Sequence, residues 1–145
     1  MNYTIDASVF ISAVRTTEIY HKESFDFLEN IQKQNIKSFC PVIVITECAS
    51  AIARQTGKIE LSEKIINLIE HFPGIILVDI SLIIARRASE IASFHHLRGA
   101  DAIYIAVAEN FRTSLITWDR EMLQRTPSHI PVLSPDEWLR KNMGP

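Results

Sequence analysis

Short apolar runs rich in β-branched residues alternate along the chain with longer segments in which apolar residues recur at helical spacing. This alternation is typical of an α/β domain with a mostly parallel sheet. It predicts strands at 3–6, 37–40, 75–79, 114–118 and, briefly, 131–133. It predicts helices at 7–15, 21–34, 42–55, 62–72, 82–96, 102–111 and 135–141. We therefore expect a three-layer α/β sandwich with a central sheet of four to five strands flanked by helices.

Length and composition favour one ordinary folded domain over residues 1–145. The chain has 145 residues, of which 47% are hydrophobic and 22% charged, and this balance excludes a disordered, fibrous or low-complexity protein. The amino-terminal segment lacks the basic region and apolar stretch of a signal peptide, and no run approaches the ~18 apolar residues of a membrane span. We expect a cytoplasmic protein without a membrane partner, in which Cys40 and Cys48, which lack zinc-site spacing, are buried reduced thiols.

Four acidic residues interrupt or adjoin hydrophobic runs, whereas most of the seventeen lie on helices beside Lys or Arg. Glu47 is the most demanding, because its predicted helix is apolar nearly all round and should be buried. An unpaired buried carboxylate costs several kcal/mol or becomes protonated. A bound cation would remove this cost. The alternative is that Glu47 lies at the edge of the buried face and reaches water.

Asp6, Asp101 and Asp119 stand at the predicted ends of strands or starts of helices. Each one alone is explained by the preference of Asp for the N-cap and first turn of a helix. Their place in the sheet favours a shared site, because the carboxyl ends of parallel strands lie at one edge, where ligands bind. Asp6 and Asp119 follow strands directly, and Glu47 lies about one turn into the next helix. Asp101 joins them if its helix begins at the same edge.

Four converging carboxylates would repel one another unless cations enter. Hard oxygen ligands select Mg²⁺ or Mn²⁺, and one or two such ions acting on a phosphodiester suit four acids. The formal net charge of -2 gives no global field for a polyanion, although the surface without these four acids would be mildly basic. The residues therefore indicate metal-assisted hydrolysis of a nucleic acid.

The order and spacing of these pieces resemble the PIN-domain family of metal-dependent ribonucleases, and in length the VapC-like toxins of toxin-antitoxin operons. The resemblance covers nearly the whole chain. Its motifs are the segments 5–8, 98–106 and 115–119 together with Glu47. It implies that Asp6, Glu47, Asp101 and Asp119 hold Mg²⁺ or Mn²⁺, and that Ser8 and Thr117 support these ligands or a metal-bound water. Both hydroxyls could equally bind nearby backbone groups.

The resemblance implies an endoribonuclease that is the toxin of a toxin-antitoxin pair, with RNA as substrate, a cognate antitoxin as partner, and a homodimer. Arg15, Arg98 and Arg120 flank the expected cleft in sequence and are candidates for positioning phosphates. An apolar stripe of Phe25, Phe27, Leu28 and Ile31 is first explained as core. Its second explanation is a groove for an antitoxin helix or a homodimer face.

Three other functions fit parts of the pattern. A PIN nuclease of housekeeping RNA processing would carry the same acids, and the cluster could also cut single-stranded DNA or flap structures. A receiver-like signalling domain would bind Mg²⁺ around a phosphorylated Asp. That domain needs paired acids after the first strand, whereas Asp6 is followed by Ala7.

Overall fold

The computed structural model describes residues 1–144 and contains a single five-stranded sheet in the order β3-β2-β1-β4-β5. Every pairing is parallel. The strands are β1 (Tyr3–Ile5), β2 (Ser38–Pro41), β3 (Ile75–Val78), β4 (Ser114–Ile116) and β5 (Val132–Leu133). All five lie where the hydrophobic pattern predicts strands, so the α/β class and the parallel sheet are confirmed.

Eight helices flank the sheet within residues 1–144. They are α1 (Ala7–Val14), α2 (His21–Lys33), α3 (Ile43–Thr56), α4 (Ile59–His71), α5 (Leu82–His95), α6 (Gly99–Phe111), α7 (Arg120–Arg125) and α8 (Pro135–Met143). Seven were predicted. The prediction missed α7 because its six residues bury only Met122 and therefore carry no apolar periodicity.

Two boundary differences matter for the acids. The prediction started the sixth helix at residue 102, but α6 begins at Gly99, so Asp101 lies inside its first turn. The prediction extended the fourth strand to residue 118, but β4 ends at Ile116, so Asp119 follows it by three residues. Asp119 is instead the N-cap of α7.

The central position of β1 brings two chain segments to the same edge of the sheet. Ile5 pairs with Ile116 across β1 and β4. Just beyond this pair, the Asp6 amide donates to the Ile116 carbonyl at 2.9 Å, and the Thr117 amide donates to the Leu133 carbonyl at 3.0 Å. The carboxyl ends of β1 and β4 therefore deliver Asp6 and Thr117 side by side.

The hydrophobic core lies between the sheet and its helices. Helix α6 is buried along most of its length and packs against β1, β2 and α5. Cys40 and Cys48 are buried free thiols, as predicted. In the apolar stripe of α2, Phe27, Leu28 and Ile31 belong to the core, whereas Phe25 is half exposed. No helix in the described part of the chain is both long and apolar enough to cross a membrane.

Helix α3 differs from the expectation of a helix buried all round. Its buried residues are Val44, Cys48 and Ile52, which form one stripe at four-residue spacing. The other apolar side chains are partly exposed because α3 packs mainly on α4 and α1. Glu47 lies beside the buried stripe and is half-buried. This placement matches the alternative in which Glu47 lies at the edge of the buried face.

Candidate active site

Asp6 is a buried carboxylate at the carboxyl end of the central strand. It occupies the N-cap position of α1, yet its side chain makes no capping hydrogen bond. The residue is only 6% exposed. Its Oδ2 atom accepts hydrogen bonds from the hydroxyls of Ser8, at 2.7 Å, and Thr117, at 2.8 Å. Helix capping therefore does not account for Asp6.

Ser8 and Thr117 each join Asp6 to the main chain after β4. The Ser8 hydroxyl, besides donating to Asp6, accepts from the Trp118 amide at 3.2 Å. The Thr117 hydroxyl likewise accepts from the Asp119 amide at 3.0 Å. Each hydroxyl binds both a carboxylate and a backbone group, and the role of Asp6 as a metal ligand stays a prediction. They hold Asp6 in one orientation against the loop that leads to Asp119.

Asp101 and Asp119 come from different elements and meet at one arginine. Asp101 lies in the first turn of α6 and is 7% exposed. The guanidinium of Arg98 donates from Nε to Asp101 Oδ2 and from Nη2 to Asp119 Oδ2, both at 3.0 Å. Asp119 also caps α7, because its Oδ1 atom accepts from the Met122 amide at 2.9 Å. Asp119 therefore has the N-cap role that its sequence position permitted, and it faces Asp101 as well.

Glu47 is linked by a hydrogen bond to α6, the helix that carries Asp101. Tyr104, a buried residue of α6, donates its hydroxyl to Glu47 Oε1 at 2.6 Å. Tyr104 lies about one helical turn after Asp101, so α6 carries one of the acids and contacts another. The sequence analysis did not select Tyr104. A polar tip within an almost wholly apolar helix is the signal that could have identified it, because a buried tyrosine hydroxyl usually has a hydrogen-bond partner.

The electrostatic environment shows that the four acids are close enough to influence one another. Burial raises the pKa of Asp6 from 3.8 to about 6, the hydrogen bonds from its two hydroxyl partners oppose this, and the charges of Glu47 and Asp101 add to it. Burial also raises the pKa of Glu47, opposed by the Tyr104 hydrogen bond, with a further rise from Asp101. Burial raises the pKa of Asp101, the Arg98 hydrogen bond lowers it, and the Asp119 charge raises it again. A cation would relieve this accumulated negative charge.

The donor set suits a hard divalent ion, although the side chains are not arranged around one. Asp6, Glu47 and Asp101 each use one carboxylate oxygen in the hydrogen bonds described above, which leaves the other oxygen for a ligand. Carboxylate oxygens are what Mg²⁺ and Mn²⁺ prefer. Within residues 1–144, however, no three Asp, Glu, His or Cys side chains lie close enough together to hold an ion as they stand. Mg²⁺ usually keeps several waters and is held by one or two carboxylates, so fewer than three protein ligands suffice for it.

The three arginines predicted to position phosphates lie in different surroundings. Arg98 joins two of the acids. Arg15 donates to Gln55 Oε1 at 3.0 Å and to Thr17 Oγ1 at 3.3 Å, neither of which belongs to the acidic group. Arg120 is exposed at the start of α7, directly after Asp119, and across the described residues it forms no ion pair. The structure thus connects Arg98, but not Arg15 or Arg120, to the acids by hydrogen bonds.

Comparison with known proteins bears on the family and the fold. A family model described as the PIN domain matches residues 3–127. A search of curated proteins finds no match for the chain.

Solved structures share the fold at low sequence identity. VapBC2 from Rickettsia felis, bound to a promoter DNA fragment, is 14% identical with a TM-score of 0.70 over 92% of this chain and 98% of that one. VapC20 of Mycobacterium tuberculosis, a sarcin-ricin loop cleaving toxin, is 12% identical with a TM-score of 0.70 over 90% of this chain and 100% of that one. A toxin-antitoxin complex from Klebsiella pneumoniae is 18% identical with a TM-score of 0.63 over 93% and 98%.

Proposed function

The chain belongs to the PIN domain family, and on that premise we propose that it is a Mg²⁺- or Mn²⁺-dependent endoribonuclease, the toxin of a toxin-antitoxin pair. The observation that carries the proposal is the pairwise linkage of the four acids: Arg98 donates to Asp101 and Asp119, Tyr104 of the same helix as Asp101 donates to Glu47, and the charges of Glu47 and Asp101 raise the pKa of Asp6. Three of these carboxylates have a pKa raised by burial and by one another. Such acids are unfavourable for an isolated domain and suit one that binds a cation. Single-domain organisation over 1–145 and a cytoplasmic location belong to the same proposal.

In this proposal the four carboxylates would hold one or two ions, and the chemistry such ions would supply when bound is a water of lowered pKa and neutralisation of charge on the phosphate. The remaining steps depend on this chain's own side chains. Ser8 and Thr117 keep Asp6 in one orientation by donating to the same oxygen. Tyr104 does the same for Glu47. Cleavage leaves a 5′-phosphate and a 3′-hydroxyl, by analogy with the family.

Asp79 also follows a strand of the sheet, and this position permits a cleavage experiment with a matched control. Purified protein is incubated with total cellular RNA and Mg²⁺ or Mn²⁺, alongside EDTA and the variants Asp6→Asn and Asp101→Asn. Asp79→Asn is the control, because Asp79 follows β3 but lies exposed and outside the acidic group. We expect cleavage by the wild type and by Asp79→Asn only. Cleavage that persists in Asp6→Asn and Asp101→Asn, or no cleavage together with no calorimetric Mn²⁺ binding, would contradict the proposal.

A parallel reaction on single-stranded DNA tests the nucleic-acid preference. Carboxylates alone do not select RNA, so the preference rests on the family and on the likeness to a sarcin-ricin loop cleaving toxin. We expect RNA to be cut faster than a DNA of the same sequence. Faster cleavage of the DNA would favour the alternative of a single-strand or flap nuclease.

The proposed antitoxin partner is supported by an apolar groove between α1, α2 and α4. The groove has a volume of about 460 Å³. Its lining includes partly exposed apolar side chains of the kind that bind an amphipathic helix: Val14, Phe25 and Leu68. Solved structures with the same fold are toxin-antitoxin complexes. We therefore assign the groove to an antitoxin helix. The homodimer stays a prediction, which light scattering of the purified protein would test.

Growth of an expressing bacterium separates the toxin from a housekeeping nuclease. Expression of the wild-type chain should arrest growth, and Asp101→Asn should not. Co-expression of the small protein encoded beside it should restore growth. Normal growth with a chain that cuts RNA in the purified reaction would favour the housekeeping alternative.

A further inference from the structure

Arg98 holds two of the four acids at once. Its Nε atom donates to Asp101 Oδ2 and its Nη2 atom to Asp119 Oδ2, each at 3.0 Å. We call this pair of contacts the Arg98 bridge. A planar guanidinium can donate to two carboxylates in one fixed geometry, which a single ammonium cannot do. The bridge therefore ties the first turn of α6 to the first turn of α7.

The bridge uses one oxygen of each aspartate. Asp119 has two carboxylate oxygens, and Oδ1 accepts the Met122 amide that begins α7. Oδ2, the oxygen without a role in the helix cap, accepts from Arg98. On Asp101, Arg98 likewise donates to Oδ2. A carboxylate oxygen can accept more than one partner, so a cation at Asp119 would compete with Arg98 for Oδ2, and displacement of Arg98 would free that oxygen.

The surroundings of Arg98 allow this displacement. Its side chain is 69% exposed, so the guanidinium can leave for water without the cost of a buried unpaired charge. Its backbone stays in place, because the Arg98 carbonyl accepts the Ala102 amide at 3.0 Å in the first turn of α6. The neighbouring His96 carbonyl is held by Arg125 Nη1, at 2.8 Å, from the end of α7. Only the Arg98 side chain has to move.

We propose that Arg98 is a positioning residue that holds Asp101 and Asp119 together and competes with a divalent ion for their carboxylates. This inference rests on the proposed function, since it assumes that the acids bind an ion. The competition raises the ion concentration at which half of the sites are occupied.

The test measures Mn²⁺ binding directly, from the electron paramagnetic resonance signal of the free ion, without RNA. Arg98→Gln removes the bridge and the charge, and Arg98→Lys keeps the charge but cannot reach two carboxylates in the same way. Arg120→Gln removes a charge next to Asp119 without touching the bridge. We expect Arg98→Gln to bind Mn²⁺ about fivefold more tightly than wild type, equivalent to ~1 kcal/mol, as for exposed ion pairs. Arg98→Lys should bind at least about twofold more tightly, and Arg120→Gln within about twofold of wild type.

The outcomes separate the bridge from the metal site itself. Wild-type binding that is lost in Asp6→Asn but is unchanged in Arg98→Gln and Arg98→Lys would overturn the Arg98 proposal and leave the proposed function intact. Equal tightening in Arg98→Gln and Arg120→Gln, with none in Arg98→Lys, would reduce the effect to net charge and overturn the bridge. No Mn²⁺ binding by the wild type or any variant would overturn the metal site and the bridge with it. Circular dichroism confirms that each variant is folded.

Discussion

The hydroxyl of Tyr104 donates a hydrogen bond of 2.6 Å to Oε1 of Glu47 and so joins α6 to α3 across the candidate site. Fifty-seven positions separate the two residues in the chain. From the sequence of its own helix, no hydrogen-bond partner could be predicted for either residue. The contact explains how a half-buried glutamate with no basic residue nearby on its helix keeps a defined orientation.

Removal of this hydroxyl should weaken the site more than the fold. Tyr104→Phe is expected to lower the free energy of unfolding by about 1 kcal/mol, the typical contribution of one hydrogen bond. It should lower Mn²⁺-dependent cleavage severalfold, because Glu47 loses the group that orients it. Urea denaturation and initial cleavage rates measure the two effects. Tyr3→Phe is the matched control, since the Tyr3 hydroxyl accepts from Trp138 Nε1 at 2.6 Å in the core, and it should lower stability without altering the cleavage rate.

Thr117 offers a test of the hydroxyls that hold Asp6. Thr117→Val keeps the side-chain shape but removes the donor to Asp6 Oδ2 and the acceptor for the Asp119 amide. We expect cleavage to fall by about 10- to 100-fold, the usual effect of losing a group that orients a metal ligand. Thr117→Ser should restore most of the rate, because it returns the hydroxyl. Equal rates for Thr117→Val and wild type would remove Thr117 from the site.

The folded protein should be more stable with an amide than with a carboxylate at position 6 when no ion is present. Burial, with a further contribution from the charges of Glu47 and Asp101, raises the pKa of Asp6 from 3.8 to about 6, so ionisation of this group at neutral pH costs more in the folded chain than in the unfolded one. Asp6→Asn keeps an oxygen to accept from Ser8 and Thr117 but carries no charge. At pH 7.5 in EDTA we expect it to be more stable than wild type by about 3 kcal/mol, from ~1.4 kcal/mol for each unit of the rise from 3.8 to about 6. Urea unfolding measures the difference.

Mn²⁺ should reverse this order of stability. An ion that binds the folded state alone stabilises it, and Asp6→Asn lacks one ligand. Saturating Mn²⁺ should therefore raise the stability of the wild type and leave that of the variant nearly unchanged. A variant less stable than wild type in EDTA would show that the charge on Asp6 is not a cost in this fold.

Glu109 makes a pH-dependent contribution to the stability of the fold. Its hydrogen-bond partners are Arg87 and His129, and none of the four acids is among them. Hydrogen bonds from Arg87, and to a smaller extent from His129, lower the pKa of Glu109 from 4.5 to about 2, while burial opposes them. A lowered pKa stabilises the fold when the pH is above the unfolded value near 4.5, and this contribution is lost as the pH falls towards about 2. Because solvent screens this partly exposed group, we expect about 1 kcal/mol.

Comparison of Glu109→Gln with wild type from pH 7 to pH 3 measures this contribution. The difference in unfolding free energy should be constant above pH 5 and shrink below about 4.5. Glu29→Gln is the control, because Glu29 pairs with Lys33 on the exposed face of α2 and should give almost no difference at any pH. A difference between Glu109→Gln and wild type that grows as the pH falls would contradict the assignment.

The sequence by itself determined the class of the fold and the four acids. Strands and helices are encoded by local periodicity and turn residues, so all five strands and seven of the eight helices were predictable. Asp6 and Asp119 were identifiable because the end of a parallel strand is a position at which ligands gather. The family followed from the order of these pieces. Among the helices and strands of residues 1–144, local patterns missed α7 altogether, because it is too short and polar to show a period.

Tertiary structure decided how the acids are held. The sequence could not show that Asp119 caps a helix while Asp6 does not, because capping depends on where each side chain points. It also predicted a buried α3 and could not show that Glu47 lies at the side of a single apolar stripe. The hydrogen bonds that Tyr104 and Arg98 make to these acids were not predictable for the same reason. Their contacts with Glu47 and Asp119 cross between elements distant in the chain, and only packing of those elements brings the atoms within hydrogen-bond distance.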